Sequence, residues 1–186
     1  MSKGWGKLKH ALVIGGTGML AQASVWLSKN GFHVSVIGRN AEKMQVLLDE
    51  NPTRMTPILV DYTNRVALME QLHRIQNENG QIQLVVAWIH STGQQVIPCL
   101  TASLSQSQPW KLFHISGSSS NLQEIKDKMA IPKHVSYHQI QLGFKTESGI
   151  SRWLTHAEIS NGVIKAILEE KPEQIIGTIE PWENRP

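Results

Sequence analysis

Cysteine is all but missing from this 186-residue sequence, and Cys99 stands alone. A disulfide within the chain is excluded, and a reducing compartment is the default expectation. Cys99 sits in an apolar stretch, where a small core residue is the ordinary reading and a nucleophile the exceptional one. Charge is sparse as well. Asp, Glu, Lys and Arg make up 18% of the chain, the formal net charge is +3, and no run of Lys or Arg occurs. The concentrated basic patch that nucleic-acid binding needs is missing, so no nucleic-acid partner is expected, while mild basicity suits a polyphosphate ligand. Long apolar runs are also lacking. Nothing approaches the roughly 18 apolar residues that span a bilayer, and no membrane partner is expected. Lys3, Lys7 and Lys9 precede the run Ala11-Leu12-Val13-Ile14, which superficially resembles a secretory leader. The run breaks at Gly15-Gly16, too soon for a signal core, and the reading is cytoplasmic. No internal repeat, linker or low-complexity segment divides the chain, and its length fits one domain over residues 1–186.

What is present alternates. Apolar runs suited to strands fall at 10–15, 32–38, 56–61, 82–90, 110–116, 134–141 and 174–179. Helical patterns lie between them near 18–30, 41–50, 64–78, 94–107, 119–129 and 156–169. Continuous runs such as Ile82-Gln83-Leu84-Val85-Val86-Ala87-Trp88-Ile89 suit strands covered on both faces, as in a parallel sheet. The alternation predicts an α/β fold: a doubly wound parallel sheet of about seven strands in a three-layer α/β/α sandwich. Some boundaries carry their own chemistry. Gly31 follows the first helix, Asn40 can cap the second and Thr63 the third. Thr155-His156-Ala157-Glu158 reads as a capping box opening the last helix.

The first strand runs into Gly15-Gly16-Thr17-Gly18-Met19-Leu20-Ala21 and then a helix. Gly16-x-Gly18-x-x-Ala21 fits the G-x-G-x-x-G/A fingerprint in its strand–turn–helix context. A diphosphate must approach the first helix N-terminus closely, where free N–H groups and the helix dipole stabilise its charge. Side chains at the turn would obstruct that approach. The turn therefore predicts dinucleotide binding through Gly15, Gly16, Thr17, Gly18, Met19 and Leu20, on a Rossmann fold with strand order 3-2-1-4-5-6-7. NAD-selective sites place Asp or Glu at the end of the second strand, against the ribose hydroxyls. Here that strand ends in Gly38-Arg39-Asn40, with no acid. Arg39 suits a 2′-phosphate, with Asn40 beside it in the cofactor site, so the cofactor expected is NADP(H) rather than NAD(H).

With these elements in place, the chain resembles the short-chain dehydrogenase/reductase family over nearly its whole length. Asp61-Tyr62, after the third strand, matches the place where the family's Asp contacts adenine. Ala87-Trp88-Ile89-His90 occupies the fourth-strand end, where the family usually carries an Asn-Asn-Ala-Gly-like stretch against the ribose; that stretch is absent here. Ser116-Gly117-Ser118 is similar to the family's active-site serine segment, and Leu142-Gly143-Phe144 to its Pro-Gly turn beside the nicotinamide. The resemblance thus implies cofactor contacts at Asp61, Tyr62, Ala87, Trp88, Gly143 and Phe144, and catalytic roles for Ser116 and Ser118. It also implies a small-molecule substrate, a homo-oligomer as an open state, and an NADP-dependent oxidoreductase.

The family's usual catalyst is Tyr-x-x-x-Lys on a helix between strands five and six, the Lys charge lowering the Tyr pKa. Only two tyrosines are present. Val66 stands four residues after Tyr62, and Gln141 four after Tyr137. Neither makes the motif, and about 18 residues from Ser118 to Ser136 leave only a helix cut down to Leu122–Met129. His90 and His114, near the ends of strands four and five, are candidate acids near neutral pH. Tyr137 and His138 lie early in their strand, where packing is the ordinary role. Lys145 follows the Leu142-Gly143-Phe144 turn, and Trp182 lies in the tail on the ligand side. Scattered histidines form no metal cluster, and no metal is assigned. The departures leave open a second reading, a non-catalytic NADP(H)-binding regulator or redox sensor, and a minor third, an isomerase or dehydratase using the cofactor transiently.

Overall fold

A computed structural model of the chain describes residues 8–93 and 95–186. Lys3, Lys7 and position 94, the expected first residue of the fourth helix, lie outside the described residues. In chain order the elements are β1 (Lys9–Ile14), α1 (Ala21–Lys29), β2 (Phe32–Gly38), α2 (Ala41–Asp49), β3 (Met55–Leu59), α3 (Arg65–Asn79), β4 (Ile82–Trp88), α4 (Val96–Ser103), β5 (Trp110–Ser116), α5 (Leu122–Lys128), β6 (Val135–Leu142), β7 (Phe144–Glu147), β8 (Ile150–Trp153), α6 (His156–Glu169) and β9 (Glu173–Ile176).

The main sheet has seven strands in the order β3-β2-β1-β4-β5-β6-β9, and every pairing within it is parallel. The expected order is observed, with one addition. β7 and β8 form an antiparallel hairpin between the sixth and last sheet strands, which the apolar pattern did not announce. Ser148 and Gly149 at its tip have φ of 51° and 80°, the left-handed pair that a tight two-residue hairpin turn uses.

The sheet is buried on both faces because alternate residues of each strand feed two cores. Ala11, Val13, Val34 and Val36 face α1, α2 and α6, where they meet Leu27, Met44 and Val163. Leu12, Ile14, Val85 and Leu112 face α3 and α4, where they meet Leu72, Cys99 and Leu100. Cys99 is thus a core residue, 3% exposed. Burying each large aliphatic side chain stabilises the fold by about 1.5–3 kcal/mol before entropy is counted.

Several boundaries differ from expectation. α1 begins at Ala21 rather than 18, because residues 15–20 are spent in a turn closed by Gly18 N–H to Gly15 O. α3 is capped by Asn64, whose Oδ1 accepts the Ala67 N–H at 3.1 Å, and not by Thr63. Thr63 is already engaged: its N–H and hydroxyl both donate to Asp61 Oδ1, at 2.9 and 2.7 Å. α4 ends at Ser103, since Leu104 turns to extended backbone. The last strand stops at Ile176 because Gly177 takes φ of 81°. The capping box of α6 forms as expected, with Thr155 and Glu158 bonding reciprocally. Among the described residues no helix is long and apolar enough to cross a membrane.

Candidate functional site

The strand order reverses between β1 and β4, and at such a switch point doubly wound sheets open a crevice at the carboxyl ends of the strands. The glycine turn forms its first wall. Gly15 turns the chain at φ of 83°, which side-chain-bearing residues avoid. Its N–H donates to Ile37 O at 3.1 Å, so the turn leaves straight from the sheet. Gly16 serves packing: a Cβ there would lie 2.6 Å from Val36 Cγ1 and 2.9 Å from Ser24 Oγ. Gly18 is different, because a Cβ there would meet nothing within 4 Å. Its backbone is open to a ligand. Among the described residues, the N–H groups of Gly16, Thr17, Met19 and Leu20 have no hydrogen-bond partner. They stand just ahead of α1, where the dipole favours negative charge. The Leu20 side chain is fully buried, so only its backbone faces the crevice.

The turn is held from a distance. Buried Ser160 of α6 donates its hydroxyl to Met19 O at 2.7 Å and accepts the Ala23 N–H at 3.3 Å. No local pattern around residue 160 announces this role, since it arises only when α6 packs on α1.

At the end of β2, a Cβ on Gly38 would touch Thr17 Cγ2 and Oγ1 at 3.0 and 3.1 Å, so Thr17 lies directly on this strand end. Arg39 follows, exposed. Asn40 caps α2, its Oδ1 accepting the Lys43 N–H at 2.8 Å, which leaves its amide group free. The exposed Asp61 carboxyl is held below the usual carboxylate range by the Thr63 backbone and hydroxyl donors, with Arg39 adding in the same sense. Tyr62 accepts the His90 N–H at 3.3 Å, and its ring packs where a Cβ on Gly93 would stand 2.9 Å away. Tyr62 thereby ties the end of β3 to the segment after β4.

The ends of β4 and β5 form the other wall. Ala87 is sealed in the core, so the cofactor contact expected of it would be made by backbone. Trp88 lies along the sheet edge. A Cβ on Gly15 would stand 3.4 Å from Trp88 Cβ, and one on Gly117 would stand 3.9 Å from Cη2 at the far end of the indole. The two serine candidates part company here. Ser116 lines a cleft of about 360 Å³ together with His114 and His90. Ser118 lines a separate one of about 630 Å³ with Gln141 and Trp182. Gln141 donates to Ser118 O at 3.1 Å and Ser120 O at 2.8 Å, which fixes that loop. His114 is 5% exposed, and its Nδ1 lies 2.9 Å from the Tyr137 hydroxyl. Burial pulls its pKa down to about 4, so it is a neutral imidazole at neutral pH rather than an acid titrating there.

Other expected residues belong to the fold. A Cβ on Gly143 would lie 2.0 Å from Thr178 O, and Phe144 is fully buried, its N–H and C=O both paired with Thr178. Close crossing of two chain segments accounts for the glycine at 143 and the burial of Phe144, so a cofactor contact from this turn would be made by backbone. His138 stacks on Phe113, with centroids 4.4 Å apart, and its Nδ1 lies 2.9 Å from Lys171 O. Lys145 pairs with Glu158 at 2.6 Å and Arg152 pairs with the same carboxylate at 2.9 Å. Arg152 and then Lys145 hold the Glu158 carboxyl well below its ordinary range. Trp182 is half-exposed, with the Arg185 guanidinium 4.7 Å from its ring. Among the described residues no group of three or more His, Cys, Asp or Glu could hold a metal ion.

No protein-family model matches the sequence, and no curated protein matches it either. Solved structures do. YwfH, an NADPH-dependent reductase involved in bacilysin biosynthesis, superimposes with a TM-score of 0.69 at 14% identity, over 92% of this chain and 100% of that one. A short-chain type dehydrogenase/reductase from Mycobacterium marinum gives 0.69 at 15% identity, over 93% and 95%. One from Brucella melitensis, of the glucose/ribitol dehydrogenase type, gives 0.65 at 10% identity, over 91% and 95%. The fold is that of the short-chain dehydrogenases/reductases. On this short-chain dehydrogenase/reductase frame the connection between β5 and β6 is brief. α5 has seven residues, Leu-Gln-Glu-Ile-Lys-Asp-Lys, and none is a tyrosine. The chain's second tyrosine, Tyr137, stands on β6 instead, its hydroxyl 2.9 Å from His114 Nδ1.

Proposed function

We propose that this protein is an NADP(H)-dependent oxidoreductase of the short-chain dehydrogenase/reductase type, acting on a small carbonyl or alcohol without the usual Tyr-Lys pair. One observation carries the reading: a glycine turn whose outer face is open at Gly18 and whose unpaired N–H groups stand ahead of α1. When bound, the cofactor would supply or accept the hydride, and the protein's part is placement. The N–H groups of residues 16–20 would hold the diphosphate. Arg39, at the end of β2 next to the Gly38 that Thr17 packs on, would hold the 2′-phosphate. Asp61 and Tyr62 would border the adenine. Trp88 leads from the turn to the cleft at Ser116, where the substrate oxygen would be oriented. YwfH, with a similar fold, is described as an NADPH-dependent reductase, which favours NADP(H) by analogy alone. A reducing compartment fits the single buried Cys99.

Calorimetric titration with NADPH and NADH tests the cofactor. NADPH is expected to bind about tenfold more tightly or better, and Arg39→Ala to erase the difference, since a charge-assisted bond is worth about 1.5–3 kcal/mol. Equal or tighter NADH binding would remove the role given to Arg39. The missing Tyr-x-x-x-Lys favours the second reading, a cofactor-binding sensor. Good NADPH binding with no turnover across a broad panel of aldehydes, ketones and alcohols would decide for it.

A further inference from the structure

We infer that the substrate carries an unbranched apolar chain, laid in the groove between α4 and α5, with its oxygen-bearing carbon in the cleft at Ser116. The reacting end rests on the oxidoreductase reading above; the grip on an apolar chain does not.

α5 is too short to close its side of the sheet. Ile125 and Met129, four residues apart, share one face of it and are only half-buried, and no residue of α5 is fully buried. α4 packs on α3 but scarcely on α5. Between α4 and α5 lies a groove of about 640 Å³, within the range of small-molecule pockets. Ile97, Ile125, Met129 and Ile131 give it apolar walls. Its polar groups are already engaged. The Thr101 hydroxyl donates to Pro98 O at 3.1 Å, Asn121 Oδ1 accepts the Glu124 N–H at 3.1 Å, and Glu124 pairs with Lys128. A polar ligand would lose water there for few new partners, whereas an apolar one gains by leaving water.

The groove adjoins the cleft at Ser116. Ile97, Ser120, Ile125 and Met129 border both hollows. Met129, an unbranched thioether, can re-pack around a chain that passes from one to the other. One molecule with a polar end and an apolar tail therefore suits the two together. The shape argues against a second copy of this chain as the occupant. Among the described residues, the large apolar side chains that stand exposed, such as Val46, Val66 and Ile150, all lie on other elements. This face thus presents a groove with no ridge beside it, while a two-fold contact needs one surface to supply both.

Steady-state kinetics of the whole chain with NADPH and butanal, hexanal or octanal test the inference. Each aldehyde takes one hydride from NADPH and one proton from solvent to become the alcohol. kcat/KM is expected to rise about threefold for each methylene added, chiefly through KM. Ala130→Trp, on the exposed rim of the groove, should flatten that dependence. Calorimetric titration with 1-octanol reads the groove without turnover: binding is expected, and Ala130→Trp should weaken it about tenfold. Should Ala130→Trp fail to fold, Thr101→Trp from the α4 wall decides. Equal kcat/KM for butanal and octanal, with Ala130→Trp silent, would overturn the inference and leave the oxidoreductase reading standing. Octanol held in the groove with no aldehyde turned over would do the reverse. A dimer in sedimentation, dissolved by Ala130→Trp and binding no octanol, would assign the groove to a second copy and overturn the inference as well.

Discussion

A buried neutral imidazole makes stability depend on pH in a definite direction. Burial lowers the His114 pKa from 6.5 to about 4. Burial also lowers that of His10, which lies at the opposite end of the strands with Nδ1 2.7 Å from Gly80 O and Nε2 2.8 Å from Ser35 Oγ. In the unfolded chain both take a proton near 6.5, so there the unfolded state binds more protons and stability rises with pH. The contribution is therefore complete above about pH 6.5 and is lost as pH falls. For His114 the loss is about 2 kcal/mol by pH 5 and about 3 kcal/mol by pH 4, where the folded state also protonates. Glu158 has a lowered carboxyl pKa, so its contribution is lost only below its ordinary value of 4.5, outside the first half of that window. Urea unfolding at pH 7, 6 and 5 is expected to show falling stability, with a shallower fall in His114→Phe. A flat profile would mean that neither imidazole is buried neutral. The sequence offers His114 as a candidate acid near neutral pH, and the structure makes it a neutral imidazole instead. Its low pKa comes from burial, among residues that arrive from elsewhere in the chain.

At the scale of the element, the glycine turn divides labour that the spacing alone left shared. Gly16 lets α1 approach β2, and Gly18 leaves space for a ligand. Gly16→Val should therefore lose the fold, by placing side-chain atoms on Val36 and Ser24 at a cost of about 1–3 kcal/mol or more. Gly18→Val should leave the melting temperature within about 2 °C and weaken NADPH by about tenfold or more. A circular-dichroism melt and a calorimetric titration on each variant check both. Unchanged affinity in a folded Gly18→Val would sink the diphosphate cradle. The fingerprint was legible because turn, strand and helix are adjacent in the chain. Which glycine meets the ligand was not, since Val36 belongs to the next strand. The β7–β8 hairpin was missed for a related reason. Its four-residue strands are half exposed, so apolar runs do not mark them, and the Ser148-Gly149 pair at the tip is their one turn signal. At the start of that hairpin, Gly143 and Phe144 cross the segment at Thr178 that follows β9. A Cβ on Gly143 would strike Thr178 backbone, which cannot swing aside. Gly143→Ala is thus expected to destabilise by several times the about 1 kcal/mol typical of a point change, measured by urea unfolding. If stability held and only cofactor affinity fell, the turn would serve the nicotinamide and not the packing.

For the whole molecule, the decisive fact is that one sheet serves two cores. The same β1 residues alternate between them, Val13 toward α1, α2 and α6, and Leu12 toward α3 and α4. Neither helical layer can leave without exposing the sheet on which the other rests. The strand order was legible because continuous apolar runs demand cover on both faces, and parallel neighbours demand crossovers. The place of the ligand end followed from that order, but the partition of Ser116 and Ser118 into separate clefts did not, since it depends on how Gln141 of β6 holds the loop between β5 and the short α5. One shared sheet also predicts one unfolding transition over the whole chain. Leu27 of α1 and Leu72 of α3 are both fully buried, on opposite faces. Leu27→Ala and Leu72→Ala should each cost about 2–5 kcal/mol. Each should move the same calorimetric peak, with the calorimetric enthalpy still equal to the van't Hoff value. Two peaks, one shifted by Leu27→Ala and the other by Leu72→Ala, would mean that the layers fold independently. In that case a ligand in the crevice between β1 and β4 would report on one half of the molecule only.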